Sequence, residues 1–326
     1  MSASHQDFNN NIMQVKVPLP FPLRWVNSYL IRGSNGITLI DPGLHTPEAE
    51  QVWHSTLAAQ GIVFSDIEQI VLTHHHPDHY GLAGWFQEHT GGAPVFLSQS
   101  GLTQAQRFWG DGQPLSVKIY SLFLQHGMEQ AAADKLLPHM NSFVEWVSPQ
   151  PEVTILAPSS LIWLGDREYA TIETPGHAAG HLCFYDPIDL IMFCGDHVIP
   201  QISPNVSYIP GMDPNPLYSF LTSLESIGKY DVRMAYPGHR EPFATFTSRT
   251  KELILHHQER LEQMRLLLQM PTTAYQLCLS VFGDHLPIHQ LRFAMSETLA
   301  HLIYLREAGE VREVCHNEII YYEAVK

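Results

Sequence analysis

A chain of 326 residues with 44% hydrophobic and 16% charged residues can bury a large core, and its composition leaves no room for a disordered tail. The length exceeds that of a usual single domain, so one large domain with a smaller companion is expected. With 18 Lys+Arg against 33 Asp+Glu and a formal charge of -15, the balance argues against nucleic acid or anionic membrane as main partner, since both require a basic face. The stretch from Met1 to Asn11 is polar, without an apolar targeting core, and no apolar run reaches the ~18 residues of a membrane span. A cytoplasmic protein acting on a small molecule is expected. The four cysteines, Cys183, Cys194, Cys278 and Cys315, form no C-x-x-C; Cys183 and Cys194 lie in apolar strand-like runs, as small buried hydrophobes do.

Residues 12–17, 26–31 and 37–41 read as three strands, the last two joined by the turn Gly33-Ser34-Asn35-Gly36. Asp41-Pro42-Gly43 breaks the chain before a helix over about 46–60, with Thr46 as N-cap, Pro47 at its first position and Gly61 as stop. Residues 67–72 are short and β-branched, as in a buried strand, and four metal-ligand side chains follow within the next few positions: His74, His76, Asp78 and His79. Side chains two apart in an extended segment point the same way, so His74 and His76 can close on one ion while His75 faces elsewhere. Pro77 keeps His76 out of the helical region and then starts a helix, which turns Asp78 and His79 to a different side. The geometry suits two neighbouring ions. A helix is expected over about 78–88, then a strand over 93–98.

Residues 98–150 read as two or three helices rich in large apolar side chains. An insertion leaving and re-entering near the ligand-bearing edge is positioned to roof the site, and Phe108, Trp109 and Trp146 are candidates to line a slot for the organic part of a substrate. Short strands return over 153–156, 161–164, 169–173, 182–185 and 190–194, which are expected to form the second half of the sandwich. Three further ligand candidates each stand just past a strand: His177 in Thr174-Pro175-Gly176-His177-Ala178-Ala179-Gly180-His181, Asp196 after Cys194-Gly195, and His239 after Tyr236-Pro237-Gly238. His197 directly follows Asp196 and is expected to support a ligand rather than be one. The Pro-rich loop 197–216 crosses the mouth of the site, with Tyr208 as a candidate for holding a substrate oxygen.

The pattern resembles the metallo-β-lactamase fold superfamily, whose H-x-H-x-D-H motif and three later single ligands match here one by one over about 12–245. The resemblance implies a four-layer αββα sandwich. It assigns His74, His76 and His177 to a first metal, Asp78, His79 and His239 to a second, and Asp196 to a bridging position, with His181 structural. The matching Asp of the D-P-G turn, Asp41, is in that family a residue that orients a ligand. Two divalent ions about 3.5–4 Å apart would share a hydroxide that attacks an acyl carbonyl, with Asp78 orienting it. Imidazole and carboxylate ligands without thiolate fit zinc, and equally iron or manganese.

Past residue 248 the chain reads as a long helix, two further helices and a hairpin, similar to a winged-helix module appended to a catalytic domain spanning 1–247. Arg292 and Arg306 are offset by Glu297 and Glu307, so packing on the catalytic domain or on a second subunit of a homodimer is expected rather than DNA reading. The reading favoured is hydrolysis of a thioester or lactone with an apolar portion. A phosphodiesterase or endoribonuclease of the same fold is the alternative, and a metal-free binding module a second one.

Overall fold

The computed structural model describes residues 5–8, 11–110 and 114–325. Its first sheet takes seven strands in chain order: β1 (His5–Phe8), β2 (Ile12–Pro18), β3 (Trp25–Arg32), β4 (Ile37–Ile40), β5 (Ile67–Val71), β6 (Val95–Leu97) and β7 (Val153–Ile155). The pairing is antiparallel from β1 to β4 and parallel from β4 to β7. The second sheet has the order β12-β11-β10-β9-β8, from β8 (Leu161–Leu164), β9 (Arg167–Glu173), β10 (Leu182–Asp186), β11 (Ile191–Gly195) and β12 (Met234–Pro237). Residues 153–156, expected in this second sheet, instead add β7 to the first. There Val153 to Ile155 supply backbone partners to the otherwise open edge of β6.

The two-residue alternation of the strands builds the layers. Ile12, Tyr29 and Ile31 face Phe184 and Phe193 of the second sheet, making the core between the sheets. Met13, Val15 and Leu30 face the other way and pack with Trp53 of α1 (Pro47–Ala59). Thr46 caps α1 as expected, its side chain accepting from the Ala49 amide at 3.2 Å. The helix expected over 78–88 is two, α2 (Pro77–Tyr80) and α3 (Ala83–His89). Between them Gly81 lets other backbone approach, since a Cβ there would lie 2.5 Å from the Trp146 carbonyl oxygen.

The insertion supplies α4 (Gln99–Trp109), α5 (Pro114–Gln125), α6 (Gln130–Ala133) and α7 (Leu136–Asn141). The outer face of the second sheet, including the free and buried Cys183 and Cys194, packs on α8 (Pro216–Ile227) and α9 (Phe246–Leu267). The result is the expected helix–sheet–sheet–helix order. The chain ends in β13 (Thr272–Thr273), α10 (Ala274–Phe282), α11 (Ile288–Glu307), β14 (Val311–His316) and β15 (Ile319–Ala324), the three strands forming a small sheet. Helix α11 contacts α7, α8, α9 and α10, so it is walled by the insertion as well as by the second sheet's helices. Among the described residues no helix is long and apolar enough to cross a membrane.

Candidate metal centre

Parallel pairing brings the ligand-bearing turns to one edge. Ile40 of β4 lies beside Val71 of β5, so Asp41 and the 73–79 turn leave from adjacent strand ends. On the second sheet Gly195 of β11 lies beside Pro237 of β12, so Asp196 and His239 leave together. The Leu182 amide donates to the Thr73 carbonyl at 2.9 Å and ties the two edges to each other. Gly238 is required here: a Cβ would sit 2.2 Å from Asp196 Oδ1 and 2.6 Å from His79 Cε1.

Seven side chains meet at this edge. The donor atoms of His74, His76 and His177 lie within 4.8 Å of one another, and the same holds for Asp78, His79 and His239. In the first group His74 Nε2 is 3.0 Å from His76 Nδ1 and 3.3 Å from His177 Nε2. In the second, His239 Nε2 is 3.2 Å from Asp78 Oδ2. Asp196 stands between them, with Oδ1 3.4 Å from His79 Nε2 and Oδ2 3.8 Å from His177 Nε2 and 3.3 Å from His239 Nε2.

Four of the imidazoles are held with a chosen nitrogen toward the centre. His177 Nδ1 donates to the Asn205 carbonyl at 2.8 Å, and His239 Nδ1 to the Trp25 carbonyl at 3.0 Å. His79 Nδ1 donates to Asp41 Oδ2 at 2.8 Å. Thr73 Oγ1 donates to the same carboxylate at 2.7 Å, which leaves its lone pair for the Nδ1 hydrogen of His74 at 2.9 Å. Each of these histidines therefore turns Nε2 inward, the way bound metal ligands are oriented by an outer hydrogen bond. Asp41 also accepts from the Thr73 amide at 2.8 Å, and it sits at φ +50°, a strained setting for a non-glycine residue. Its expected role in orienting ligands agrees with these contacts.

The charges divide the site. Burial, aided by neighbouring imidazoles, drives His74 and His76 well below the ordinary histidine range. Burial opposes protonation of His239 too, but Asp196 and Asp78 raise it to about 10, and Asp196, Asp41 and Asp78 likewise hold His79 well above its usual value. Against the opposing effect of burial, His239 and His79 hold Asp196 well below the carboxylate range. Asp41, Asp78 and Asp196 thus draw positive charge onto adjacent imidazoles, the charge that a cation would carry. His79 Nε2, His239 Nε2 and Asp196 Oδ1 are buried with no hydrogen-bond partner, and all three point inward. Five imidazoles and two carboxylates with converging unshared atoms fit a pair of divalent ions.

The other expected residues separate into those near the site and those away from it. His181 is occupied at both nitrogens, by Thr174 Oγ1 at 2.8 Å and the Asp196 amide at 3.3 Å. His197 does not touch a candidate ligand through a hydrogen bond; its Nε2 meets Ser223 Oγ at 3.1 Å, one layer further back. His75 stays out of the cluster and stacks on Phe108 at 5.6 Å. Phe108 and Trp109 line a cavity of about 520 Å³ that opens onto Asp78, Asp196 and His239. Tyr208 and Trp146 do not. Tyr208 packs into the core beside α11, with its amide donating to the Ser296 carbonyl, and Trp146 turns toward Phe21, against which it packs edge-on at 5.7 Å. The sequence missed one wall of the cavity, a stripe of α11 at His289, Arg292, Phe293, Ser296 and Glu297. Their spacing of three and four residues marks one helix face, but nothing local says which face meets the metal edge.

Comparison with known proteins agrees with this geometry. The model of the metallo-beta-lactamase superfamily matches residues 23–239, and that of a metallo-beta-lactamase-like C-terminal domain matches residues 261–325. A metallo-beta-lactamase family protein from Thermus thermophilus is 36% identical, with a TM-score of 0.86 over 97% of this chain and 99% of its own. A beta-lactamase domain protein from Burkholderia ambifaria is 26% identical, with a TM-score of 0.88 over 99% of this chain and 95% of its own. Among curated proteins, the probable metallo-hydrolase YqjP of Bacillus subtilis is 28% identical over 97% of this chain and 98% of its own length. An atrochrysone carboxyl ACP thioesterase of Aspergillus fumigatus is 24% identical over 67% of this chain and 38% of its own. With the family model spanning most of the chain and the seven side chains gathered at the strand ends, this protein belongs to the metallo-beta-lactamase superfamily and is a metallo-hydrolase.

Proposed function

We propose that this hydrolase cleaves an acyl bond, a thioester or lactone, in a small substrate with an apolar body. The observation that carries the reading is the cavity of about 520 Å³ joined to the seven-residue cluster, walled by Phe108, Trp109, Ile119, Phe143, Ile209 and Phe293. Burying one large side chain's worth of apolar surface there contributes about 1.5–3 kcal/mol, enough to hold an acyl chain. The likeness to a protein named as a thioesterase supports the same bond type.

His74, His76 and His177 would hold one divalent ion and Asp78, His79 and His239 the other, with Asp196 between them. Zinc is the metal we propose for this set of imidazoles and carboxylates, which iron or manganese would also fit. Such ions supply a nucleophilic water at neutral pH and polarise the scissile carbonyl. Asp78 lines the cavity and is the more open of the two carboxylates, its side chain 19% exposed against 8% for Asp196. Burial raises its pKa, but the neighbouring His79 and His239 outweigh that and keep it ionised, able to orient the attacking water and accept its proton. The apolar wall excludes bulk water and fixes the acyl chain so that the carbonyl lies over the cluster.

The test is a series of acyl thioesters and lactones of increasing chain length, run beside a chromogenic phosphodiester at low and high salt. Rising kcat/KM with chain length is the expected result. A flat series with strongly salt-sensitive phosphodiester cleavage would put the nuclease-like alternative first.

A further inference from the structure

Arg292 stands in the first half of α11 and is the one Lys or Arg among the described residues lining the cavity. Its guanidinium lies 5.5 Å from the Phe143 ring and 4.3 Å from the Phe293 ring. Its Nε is buried without a hydrogen-bond partner, and no carboxylate pairs with it among the described residues. The charge is intrinsic to the side chain, although burial alone pulls its pKa down to about 10. Arg292 is half-buried with its Nε shielded, and a charge partly withdrawn from water without a counter-ion is unfavourable unless something supplies the opposite one; here the fold supplies aromatic faces. The other arginine of the C-terminal part for which a charged role was open, Arg306, pairs with Glu307 and Glu313 on the surface. Arg260 likewise lies over a ring, that of Phe282, with a buried guanidinium nitrogen unpaired, but it does not line the cavity; Arg292 is the one whose open partner position faces it.

We propose that Arg292 is an anion clamp, and that the substrate of this site carries a carboxylate at the end of its apolar body remote from the scissile acyl carbon. The proposal rests on the acyl-hydrolase reading for the scissile end only. A planar guanidinium presents paired donors that match a carboxylate edge, and the flanking rings of Phe143 and Phe293 keep water from competing. Charge balance selects a carboxylate over a phosphate monoester. Away from the seven-residue cluster the cavity offers one fixed positive charge, its neighbour His289 is pushed down to about 4 by burial and by Arg292, and Glu297 adds a carboxyl on the same helix face. A dianion would face too little positive charge there. The metal edge and Arg292 border the same cavity, so a chain with an acyl group at one end and a carboxylate at the other can address both.

The experiment has a binding arm and a turnover arm, both on the metal-loaded full chain. Calorimetry compares α,ω-dicarboxylates from succinate to sebacate with monocarboxylates of equal length, in wild type, Arg292→Gln and Arg292→Lys. The metals receive one carboxylate from either series, so the difference reports the second. A dicarboxylate of matching length is expected to bind about ten- to a hundredfold tighter than its monocarboxylate, as a charged hydrogen-bonded pair contributes. Arg292→Gln should erase that ratio, and Arg292→Lys should keep part of it. In the turnover arm the kcat/KM ratio between an ω-carboxyacyl thioester and its uncharged counterpart should collapse in Arg292→Gln. Equal binding of the two series by wild type at every length overturns the clamp, as does a preference that survives in Arg292→Gln. A dicarboxylate preference without any acyl hydrolysis upholds the clamp and removes the acyl reading instead.

Discussion

The two sides of the cavity are built by opposite routes. The metal edge comes from strand-end turns, with four of its seven ligand candidates within residues 74–79, and its geometry is over-determined by Asp41, Thr73 and backbone carbonyls. The opposite wall comes from three distant stretches: Phe21 ahead of β3, the insertion through Phe108 and Phe143, and α11 through Arg292 and Phe293. The first side is rich in hydrogen bonds aimed at one point; the second is held mostly by ring contacts such as Phe21 on Phe143 at 5.8 Å and Phe21 on His289 at 4.5 Å. On the proposed function, chemistry belongs to the hydrogen-bonded edge, and selection of the substrate to the assembled wall.

If that division holds, damage to the edge abolishes turnover and damage to the wall alters binding. Asp78→Asn or His239→Ala should lower hydrolysis by at least ~100-fold, with metal content falling below about two ions per chain while circular dichroism stays unchanged. Preserved activity in either variant would move the chemistry elsewhere. Asp41→Asn is the next largest, because an amide has a single acceptor oxygen and cannot accept from the Thr73 amide at one position and from the Thr73 hydroxyl and His79 at the other; metal affinity, read by competition with a chelator, should drop by about 10–100-fold.

On the wall, Phe108→Ala should raise KM for long-chain substrates by roughly tenfold with metal content unaltered, since a part-exposed ring loses only apolar contact. Metal loss in that variant would erase the contrast. The wall also carries an acid sensitivity of its own. His257 of α9 and His301 of α11, bonded to each other at 3.1 Å, are buried neutral, with burial the largest cause and His257 held at about 2 and His301 at about 4. Both lie below the ordinary 6.5, so the unfolded chain binds more protons, and stability is complete above that value and lost as the pH falls below it. The loss should reach about 2 kcal/mol per histidine by roughly pH 5, and His257→Gln should flatten the melting-temperature slope. The smallest effect is expected at His75→Ala, a few-fold in turnover with full metal content, because its ring faces Phe108 and not the cluster.

Much of this was legible in the linear chain, for local reasons. Thr46 caps its helix, the strand at 67–72 ends where the ligands begin, and alternation along 12–17 and 26–31 assigns faces, all of it short-range stereochemistry. Other features answered to partners far away in sequence. Residues 153–155 joined the first sheet because the free edge of β6 was there to be paired, and the helix after Pro77 broke where Gly81 meets the backbone at Trp146. Tyr208, plausible from its place in a loop across the mouth, turned into the core once α11 occupied that side.

What the sequence determined by itself is the candidate ligand set, because residues two apart on a strand end and a proline-started turn have few ways to point, and each later candidate follows its own strand. What only the tertiary structure decided is the wall. Arg292 and Glu297 read as offsetting charges on a helix expected to pack on the catalytic domain or a second subunit, and they line the cavity because α11 is packed by the insertion on one side and by α8 and α9 on another. Helical periodicity defines a face, but which face is turned to the candidate metal edge follows from packing on separate segments, the insertion's α7 among them well over a hundred residues away in sequence, and no local pattern records it.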